Sequence, residues 1–268
     1  MFMALTQLFI HPLKSCRGQA VAEASVTLQG LADDRVWLVV RPDGSQITAR
    51  THPRLVQVEA AGSGEGGWQF SAPGQALLAT DTARFQQPLR AQVWKSEFTA
   101  LSGDAAADAW FSQWLGEPVQ LLWLGQTTRR YKDGETPLSF ADGAPFLLIS
   151  QASLDDLNQR LAAPVSMRQF RPNLVVDDAF AFEEDEWQRI RIGEVEFEVA
   201  SRCTRCIFTT IDPDSAVPHP DKQPLATLIG YRRLEEGVCF GVNLVARNRG
   251  VLRVGDEVEV LESRLAFD

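Results

Sequence analysis

Two cysteines three residues apart, Cys203 and Cys206, are the side chains of this sequence best suited to chemistry. They lie in the stretch SRCTRCIFTTIDPD, residues 201–214, where Arg202 and Arg205 alternate with them. A thiol beside a guanidinium group tends to ionise, because nearby positive charge favours the thiolate. Thiolates are nucleophiles and ligands for soft metals. The function of the chain therefore depends largely on what one of these sulfurs does.

The C-x-x-C spacing by itself is compatible with several kinds of site. A zinc site needs two further Cys or His ligands at suitable spacing, and none of the three histidines, His11, His52 and His219, has it. A thioredoxin-like pair opens a helix, whereas residues 207–211, IFTTI, are predicted to continue as a strand. Spacing alone favours two ordinary half-buried thiols, but the flanking arginines shift the balance towards one reactive or metal-binding thiolate.

Further cationic and polar residues recur beside turns and strand ends. Taken singly, each is more often a solvated or ion-paired surface group than a ligand contact. Taken together they have the guanidinium and hydroxyl groups that hold a phosphorylated, anionic cofactor. A polar residue within an apolar strand, Asn243, is a further candidate, since a buried asparagine needs partners. The candidates in turns and strand ends are Lys14, Ser15, Arg35, Arg50, Arg168 and Arg171, the last followed by Pro172-Asn173.

Composition excludes several classes of protein. The chain has 268 residues, of which 45% are hydrophobic and 23% charged, and its net charge is −9. Such a chain buries a normal core, and its acidity, without a Lys/Arg-rich run, argues against nucleic acid binding. Four cysteines do not make a disulfide scaffold. No apolar run approaches a membrane span, and the N-terminus lacks signal-peptide features, so we expect a cytoplasmic protein that binds no membrane.

The elements that must position these residues are mostly strands. Many short strands with few helices predict a β-rich α+β fold. Helices are predicted over residues 104–115 and 150–161, and a hairpin around Gly193-Glu194. Strands are also predicted over residues 46–49, 55–60 and 251–261. A polar segment after residue 124 predicts a division into residues 1–124 and 125–268, which we expect to be intertwined.

Several longer motifs, in order along nearly the whole chain, resemble one known family. FIHPLKSCRG, GLADDRVWLVV and DGSQITAR resemble the N-terminal β-barrel of MOSC proteins. PLSFADGAPFLLISQASL, QFRPNLVV, RCTRCIFTTIDPD and FGVNLVARNRGVLRVGDEVEV resemble the MOSC domain itself. The likeness extends to bacterial YcbX-type proteins and the mitochondrial amidoxime-reducing component. It implies a MOSC-type β-barrel packed with an N-terminal β-barrel or mixed α/β subdomain.

The resemblance also implies a molybdenum cofactor, with roles for individual residues. By its position in the motif, Cys206 matches the cysteine that ligates the metal, and Cys203 is its neighbour; soft thiolate ligation suits such a metal. Lys14, Ser15 and Arg35 match residues that hold the pterin and its phosphate. The remaining matches are Arg171 and Asn173 in the pocket, Arg50 and Asn243 as further cofactor contacts, and Thr210 and Asp212 as catalytic residues just past the ligand.

The activity implied by the resemblance is reduction of small N-hydroxylated compounds, a two-electron oxygen-atom transfer at a Cys-ligated molybdenum. YcbX-type chains continue into a ferredoxin-like domain, but this sequence has no cysteine after Cys239, so we expect no iron–sulfur cluster in it. Electrons are then expected from a separate ferredoxin or flavoprotein reductase. The alternative is a non-catalytic carrier of the cofactor or of sulfur.

Overall fold

Strands dominate the computed structural model, which describes residues 2–264, and the prediction of a β-rich α+β fold is confirmed. The helices of this part of the chain are α1 (Ala105–Leu115), α2 (Gln151–Gln159) and α3 (Leu225–Tyr231). The strands are β1 (Ala4–Ile10), β2 (Gln19–Ala20), β3 (Glu23–Thr27), β4 (Gly30–Leu31), β5 (Trp37–Val40), β6 (Glu59–Gly62), β7 (Gly67–Ser71), β8 (Leu78–Asp81), β9 (Gln87–Val93), β10 (Ser96–Ser102), β11 (Gln120–Trp123), β12 (Tyr131–Lys132), β13 (Thr136–Pro137), β14 (Phe146–Ser150), β15 (Leu174–Asp177), β16 (Trp187–Ile192), β17 (Val195–Thr204), β18 (Arg233–Leu234), β19 (Gly237–Ala246), β20 (Gly250–Arg253) and β21 (Val258–Ser263).

The largest sheet joins both ends of the chain. Its order is β2-β1-β15-β14-β19-β17-β16-β21, with β18 added on β19. All neighbours are antiparallel except β14 and β15, which run parallel. The first strand pairs with β15, with Leu8 opposite Leu174. Residues of the N-terminal turn after β1 are therefore carried to the same edge as residues that precede β15.

Smaller sheets and an aromatic core make up most of the first half of the chain. One has the order β5-β11-β10-β9, and another β6-β7-β8. Trp37 of β5 lies edge-on to three rings, with centroids 5.6 Å from Trp68, 5.6 Å from Phe70 and 4.8 Å from Phe85. Edge-to-face aromatic pairs each contribute about 0.5–1.5 kcal/mol beyond burial. This packing makes β5 and the residues flanking it a rigid support.

The ends of the two predicted helices follow from their capping residues. Asp104 accepts hydrogen bonds from the backbone N–H groups of Ala106 and Ala107, and Gly116 ends α1 in a left-handed conformation. Ser150 accepts from the backbone N–H of Ser153 at the start of α2. Side-chain acceptors and a left-handed glycine satisfy the free backbone groups at helix ends. Both helices are thus confirmed within two residues.

Four predicted strands differ from the structure, each for a local reason. Residues 207–211 form a 3-10 helix, Ile207–Thr210, because threonine hydroxyls bond to backbone carbonyls of the preceding turn. Residues 55–60 begin as a 3-10 helix, Pro53–Gln57, with proline in its first turn. Residues 251–261 divide into β20, which pairs with β3, and β21, which pairs with β16. The predicted strand over residues 46–49 is reduced to a single bridge between Gln46 and Val40.

The predicted hairpin around Gly193-Glu194 is confirmed, with Ile192 of β16 opposite Val195 of β17. Among residues 2–264, no helix is both long and apolar enough to cross a membrane.

Candidate active site

A cavity of about 370 Å³ lies where the ends of the central strands meet loops of the first half of the chain. Each of its walls comes from a different part of the sequence. The cavity brings together all eight residues predicted to bind a cofactor, which are Lys14, Ser15, Arg35, Arg50, Arg171, Asn173, Cys206 and Asn243. The convergence that the sequence could only suggest is therefore present in the fold.

Cys206 lies on the cavity wall with a guanidinium group directed at its sulfur. Arg50 Nε lies 3.3 Å and Arg50 Nη2 3.2 Å from Cys206 Sγ. Two donors from one planar group stabilise negative charge on the acceptor and fix its direction. Cys206 is the residue that caps the start of the 3-10 helix Ile207–Thr210. Its backbone carbonyl accepts a hydrogen bond from the backbone N–H of Thr209 at 3.1 Å. Cys206 is thus held by hydrogen bonds both at its backbone carbonyl and at its side-chain sulfur.

Asn173 joins three segments of the cavity wall. It is fully buried, and its Oδ1 accepts from Arg35 Nη1 at 2.8 Å and from the backbone N–H of Leu147 at 3.2 Å. Its Nδ2 donates to the carbonyl of Phe9 at 3.2 Å. The amide therefore uses both its donor and its acceptor, as a buried asparagine must. Arg35 is tied in the same network to the buried carboxylate of Asp34.

Lys14 is buried at one side of the cavity. Its Nζ donates to the carbonyl of Phe140 at 2.7 Å and pairs with the carboxylate of Asp142. Burial lowers the pKa of Lys14 to about 8, against the opposing effect of Asp142. Burial alone would raise the pKa of Asp142, but Lys14 and then Arg50 hold it well below its ordinary range. Asp142 is therefore an anion between two cations at the cavity mouth.

The backbone of three predicted residues is left-handed. Ser15, Arg35 and Arg171 have φ values of 69°, 51° and 58°. Non-glycine residues seldom adopt this conformation, and it persists where the surrounding structure holds it. The backbone N–H of Arg35 donates to the carbonyl of His11 at 2.8 Å, and the carbonyl of Arg35 accepts from the backbone N–H of Phe140 at 2.8 Å. Strained backbone at three residues that line one cavity is compatible with a functional site.

Cys203 lines the same cavity beside a different arginine. Arg205 Nη1 lies 3.0 Å from Cys203 Sγ, and Arg205 Nη2 donates to the carbonyl of Phe170 at 2.6 Å. The two sulfurs of the C-x-x-C motif are therefore distinguished by their neighbours, Arg50 for Cys206 and Arg205 for Cys203.

Thr210 and Asp212, predicted as catalytic, are not among the described residues that line this cavity. Thr210 is buried, and its hydroxyl donates to the carbonyl of Ile207 at 2.8 Å. Asp212 accepts from the backbone N–H and the hydroxyl of Ser215 at 2.7 and 2.8 Å. These bonds to Ser215 lower the pKa of Asp212. Both side chains have local structural partners, because the chain turns after Cys206 instead of continuing past the cavity as a strand.

Sequence reasoning missed several residues of the cavity. Asp142 and Thr209 line it, together with Phe208. Thr209 belongs to the motif that contains Cys206, so proximity in sequence was an available signal. Asp142 lies in an Ala-Asp-Gly turn, which is typical of a surface loop, and its place beside Lys14 depends on contacts 128 residues apart.

The fold and the motifs are those of a known class. The MOSC N-terminal beta barrel domain matches residues 2–118, and the MOSC domain matches residues 135–259. The chain belongs to the MOSC-domain family, and the resemblance inferred from the sequence is confirmed.

Particular relatives cover nearly the whole chain. The Homo sapiens protein named mitochondrial amidoxime-reducing component 1 is 33% identical over 96% of this chain and 82% of its own length. The Rattus norvegicus protein named mitochondrial amidoxime reducing component 2 is 36% identical over 95% and 82%. The Homo sapiens protein named mitochondrial amidoxime reducing component 2 is 35% identical over the same shares.

Proposed function

We propose that this chain is a molybdenum-cofactor-dependent reductase of N-hydroxylated compounds that receives its electrons from a separate protein. The observation that carries the proposal is the cavity in which the Cys206 sulfur and five cationic side chains converge. The names of the relatives, amidoxime-reducing components, supply the substrate class.

The cavity residues fit a pterin cofactor with a phosphate. Arg171 and Arg205 donate to backbone carbonyls, of Cys16 and Phe170, and neither is hydrogen-bonded to a carboxylate within the described residues. Asp142 is the one carboxylate among the described cavity residues. Positive charge therefore exceeds negative charge inside a chain whose net charge is −9. Such a local excess favours an anionic ligand, and forked guanidinium groups match phosphate geometry.

Each side chain has a part to play around the bound cofactor. Cys206 would be the protein's sulfur ligand to the metal, and Arg50 would keep that sulfur oriented through its two donors. Lys14, Ser15, Arg35 and Arg171 would hold the pterin and its phosphate, and Asn173 would fix Arg35 through their hydrogen bond. Asn243, whose Nδ2 donates to Ser201 Oγ at 3.1 Å, would complete the wall on β19.

The molybdenum cofactor, when bound, supplies the two-electron chemistry that cleaves the N–O bond. The chain's own residues bind it, leave room for substrate and manage protons. With a pKa of about 8, Lys14 Nζ is protonated at neutral pH and holds a proton that it can release near the cavity. Asp142, kept ionised, stabilises that protonated lysine.

The electron donor and the cellular location of the protein are also proposals. A separate ferredoxin or flavoprotein reductase is proposed as donor because the residues of this chain supply no cysteine cluster for an iron–sulfur centre. The sequence predicts a cytoplasmic protein, whereas the relatives are named mitochondrial, so the location stays a prediction.

The deciding experiment compares the two cysteines. The parent protein, Cys206→Ala and Cys203→Ala are purified from a host that makes the cofactor, and molybdenum content and reduction of benzamidoxime with a supplied donor are measured. We expect Cys206→Ala to lose activity and Cys203→Ala to retain most of it, because only Cys206 is the proposed ligand. Equal activity of Cys206→Ala and the parent would disprove the ligand assignment. A stable persulfide on Cys206 without molybdenum would favour the sulfur-carrier alternative.

A further inference from the structure

The tip of one hairpin near the cavity carries a tryptophan where glycine is usual. Strands β9 and β10 are joined by the two-residue turn Trp94-Lys95, with Val93 paired to Ser96. Trp94 has a φ of 56°. A positive φ at the first position of such a turn normally selects glycine, and a bulky side chain there is strained. A strained residue that persists is held by its surroundings and points to a function.

The contacts that hold Trp94 are made with cavity residues. Its indole Nε1 donates to Asp142 Oδ1 at 2.9 Å, and the guanidinium carbon of Arg50 lies 4.5 Å from its ring centroid. The carbonyl of Trp94 accepts from Gln92 Nε2 at 2.5 Å. The side chain is 47% exposed, so burial in a core does not account for its position. These two side-chain partners of Trp94, Arg50 and Asp142, are neighbours of Cys206 and Lys14.

These contacts form a continuous path from the hairpin tip to the sulfur. Arg50 lies between the Trp94 ring and Cys206, to which it directs Nε and Nη2. Its other ionic partner is Asp142, at 3.5 Å, which Trp94 also holds. Arginine has many rotamers, and an aromatic ring close to its guanidinium carbon restricts them. Trp94 thus limits the rotamers of Arg50 directly through this cation–π contact and indirectly through Asp142.

We propose that Trp94 is a positioning residue, which keeps Arg50 directed at the Cys206 sulfur. Any effect of Trp94 on metal binding by Cys206 rests on the proposed function. The contacts that link Trp94 through Arg50 to Cys206 do not depend on it. Loss of the ring should therefore alter the surroundings of Cys206 even in protein that contains no cofactor.

The test is a double-mutant cycle in cofactor-free protein. The rate at which iodoacetamide alkylates Cys206 is measured by peptide mass spectrometry at one pH, for the parent, Trp94→Gly, Arg50→Ala and the double variant. We expect Trp94→Gly to change the rate in the same direction and by a similar factor as Arg50→Ala. The double variant should match Arg50→Ala, because residues that act through one contact are not additive. A parental rate in Trp94→Gly, or additive effects, would overturn the proposal.

Two further variants separate positioning from folding. Trp94→Phe keeps a ring over Arg50 and should keep most of the parental rate, although it loses the bond to Asp142. Lys222→Gly relieves a left-handed residue with a nearly identical φ, 55°, in an exposed turn, and should leave alkylation unchanged. A changed rate in Lys222→Gly would show that backbone relief alone moves Cys206. The assay needs neither molybdenum nor substrate. The positioning role of Trp94 can therefore be disproved while the proposed function holds, and the proposed function can be disproved while the positioning role holds.

Discussion

At the scale of single residues, the cavity depends on buried polar groups that satisfy one another. Asn173 accepts from Arg35 and from Leu147, and donates to Phe9. Removing one partner of such a network leaves buried donors or acceptors unpaired, which costs about 1–3 kcal/mol for each group. The network therefore fixes the position of Arg35 at the cavity wall.

Lys14 makes the stability of the cofactor-free protein depend on pH. Its pKa is about 8 in the folded chain and ordinarily 10.5. Between these values the unfolded chain binds more protons at this residue than the folded chain does, so the free energy of unfolding rises with pH. The contribution is at most about 1.4 kcal/mol per pH unit. Urea denaturation at several pH values between 8 and 10 measures it.

The control for that prediction is Lys14→Met, which cannot titrate. Burial raises the pKa of Cys16, and that thiol acts in the opposite direction above its ordinary value, but it is present in both proteins. The difference between the two pH profiles isolates Lys14. We expect the parent to gain stability relative to Lys14→Met as pH rises; parallel profiles would contradict the lowered pKa.

At the scale of elements, the strand before Cys206 and the turns after it position the site. The chain leaves β17, passes Cys206 and forms the 3-10 helix Ile207–Thr210. The turn that follows carries Asp214, which pairs with Arg168 at 2.9 Å and Arg17 at 3.2 Å. Asp212 supports this turn by accepting the backbone N–H of Asp214 at 3.1 Å. The segment is therefore fastened to both halves of the chain.

A structural part for Asp212 predicts a specific pattern in its variants. Asp212→Asn keeps an acceptor for Ser215 and should retain activity in the benzamidoxime assay within about threefold. Asp212→Ala removes these bonds and should lower the free energy of unfolding by about 1 kcal/mol. Urea denaturation and steady-state rates check both. A large loss of activity in folded Asp212→Asn would instead establish the catalytic role predicted from the motif.

Arg130 shows how a side chain can hold a loop at the site. Arg130 lies in the polar segment after residue 124, yet it is buried and donates to the carbonyls of Ser139 at 2.9 Å and Asp142 at 3.0 Å. A guanidinium with several donors satisfies a run of carbonyls that no strand pairs. The Asp142 loop therefore has a fixed backbone, which supports the positions of Lys14 and Arg50.

At the scale of the whole molecule, the charge is distributed unevenly. The chain carries a net charge of −9, while the described residues that line the cavity include five cations and one carboxylate. Concentrating like charge is unfavourable unless a ligand of opposite charge binds there. The cofactor-free protein therefore lacks a contribution to stability that an anionic cofactor would supply.

Cofactor loading should consequently raise thermal stability. A ligand that binds only the folded state stabilises it in proportion to the logarithm of its concentration over Kd, which is about 4 kcal/mol at a thousandfold excess. We expect the Tm of the parent to be higher when it is purified from a cofactor-competent host than from a cofactor-deficient one. Cys203→Ala should show the same difference and Cys206→Ala a smaller one. Equal Tm values for molybdenum-loaded and cofactor-free parent protein would contradict this expectation.

Features that depend on residues close together in sequence could be predicted, whereas those that depend on distant residues could not. Helix α1, the hairpin at Gly193-Glu194 and the β-rich class depend on caps, turns and alternation within a few residues, and these were predicted. The turn after Cys206 was missed because β-branched residues favour strands, whereas here threonine hydroxyls bond to nearby carbonyls. Asp142 was missed because its cationic partners are distant in sequence.

The sequence by itself determined the β-rich class, the two longer helices and the hairpin at Gly193-Glu194, since these depend on residue types and local spacing. Its resemblance to MOSC proteins supplied the eight cofactor-binding candidates. Only the tertiary structure decided that the candidates share one cavity, that the Arg50 guanidinium lies against the Cys206 sulfur, and that Trp94 contacts Arg50. Those relations join residues far apart in sequence, such as Arg50 and Cys206, which are 156 positions apart. Sheet pairing and core packing create them, and no local pattern encodes which distant side chains will meet.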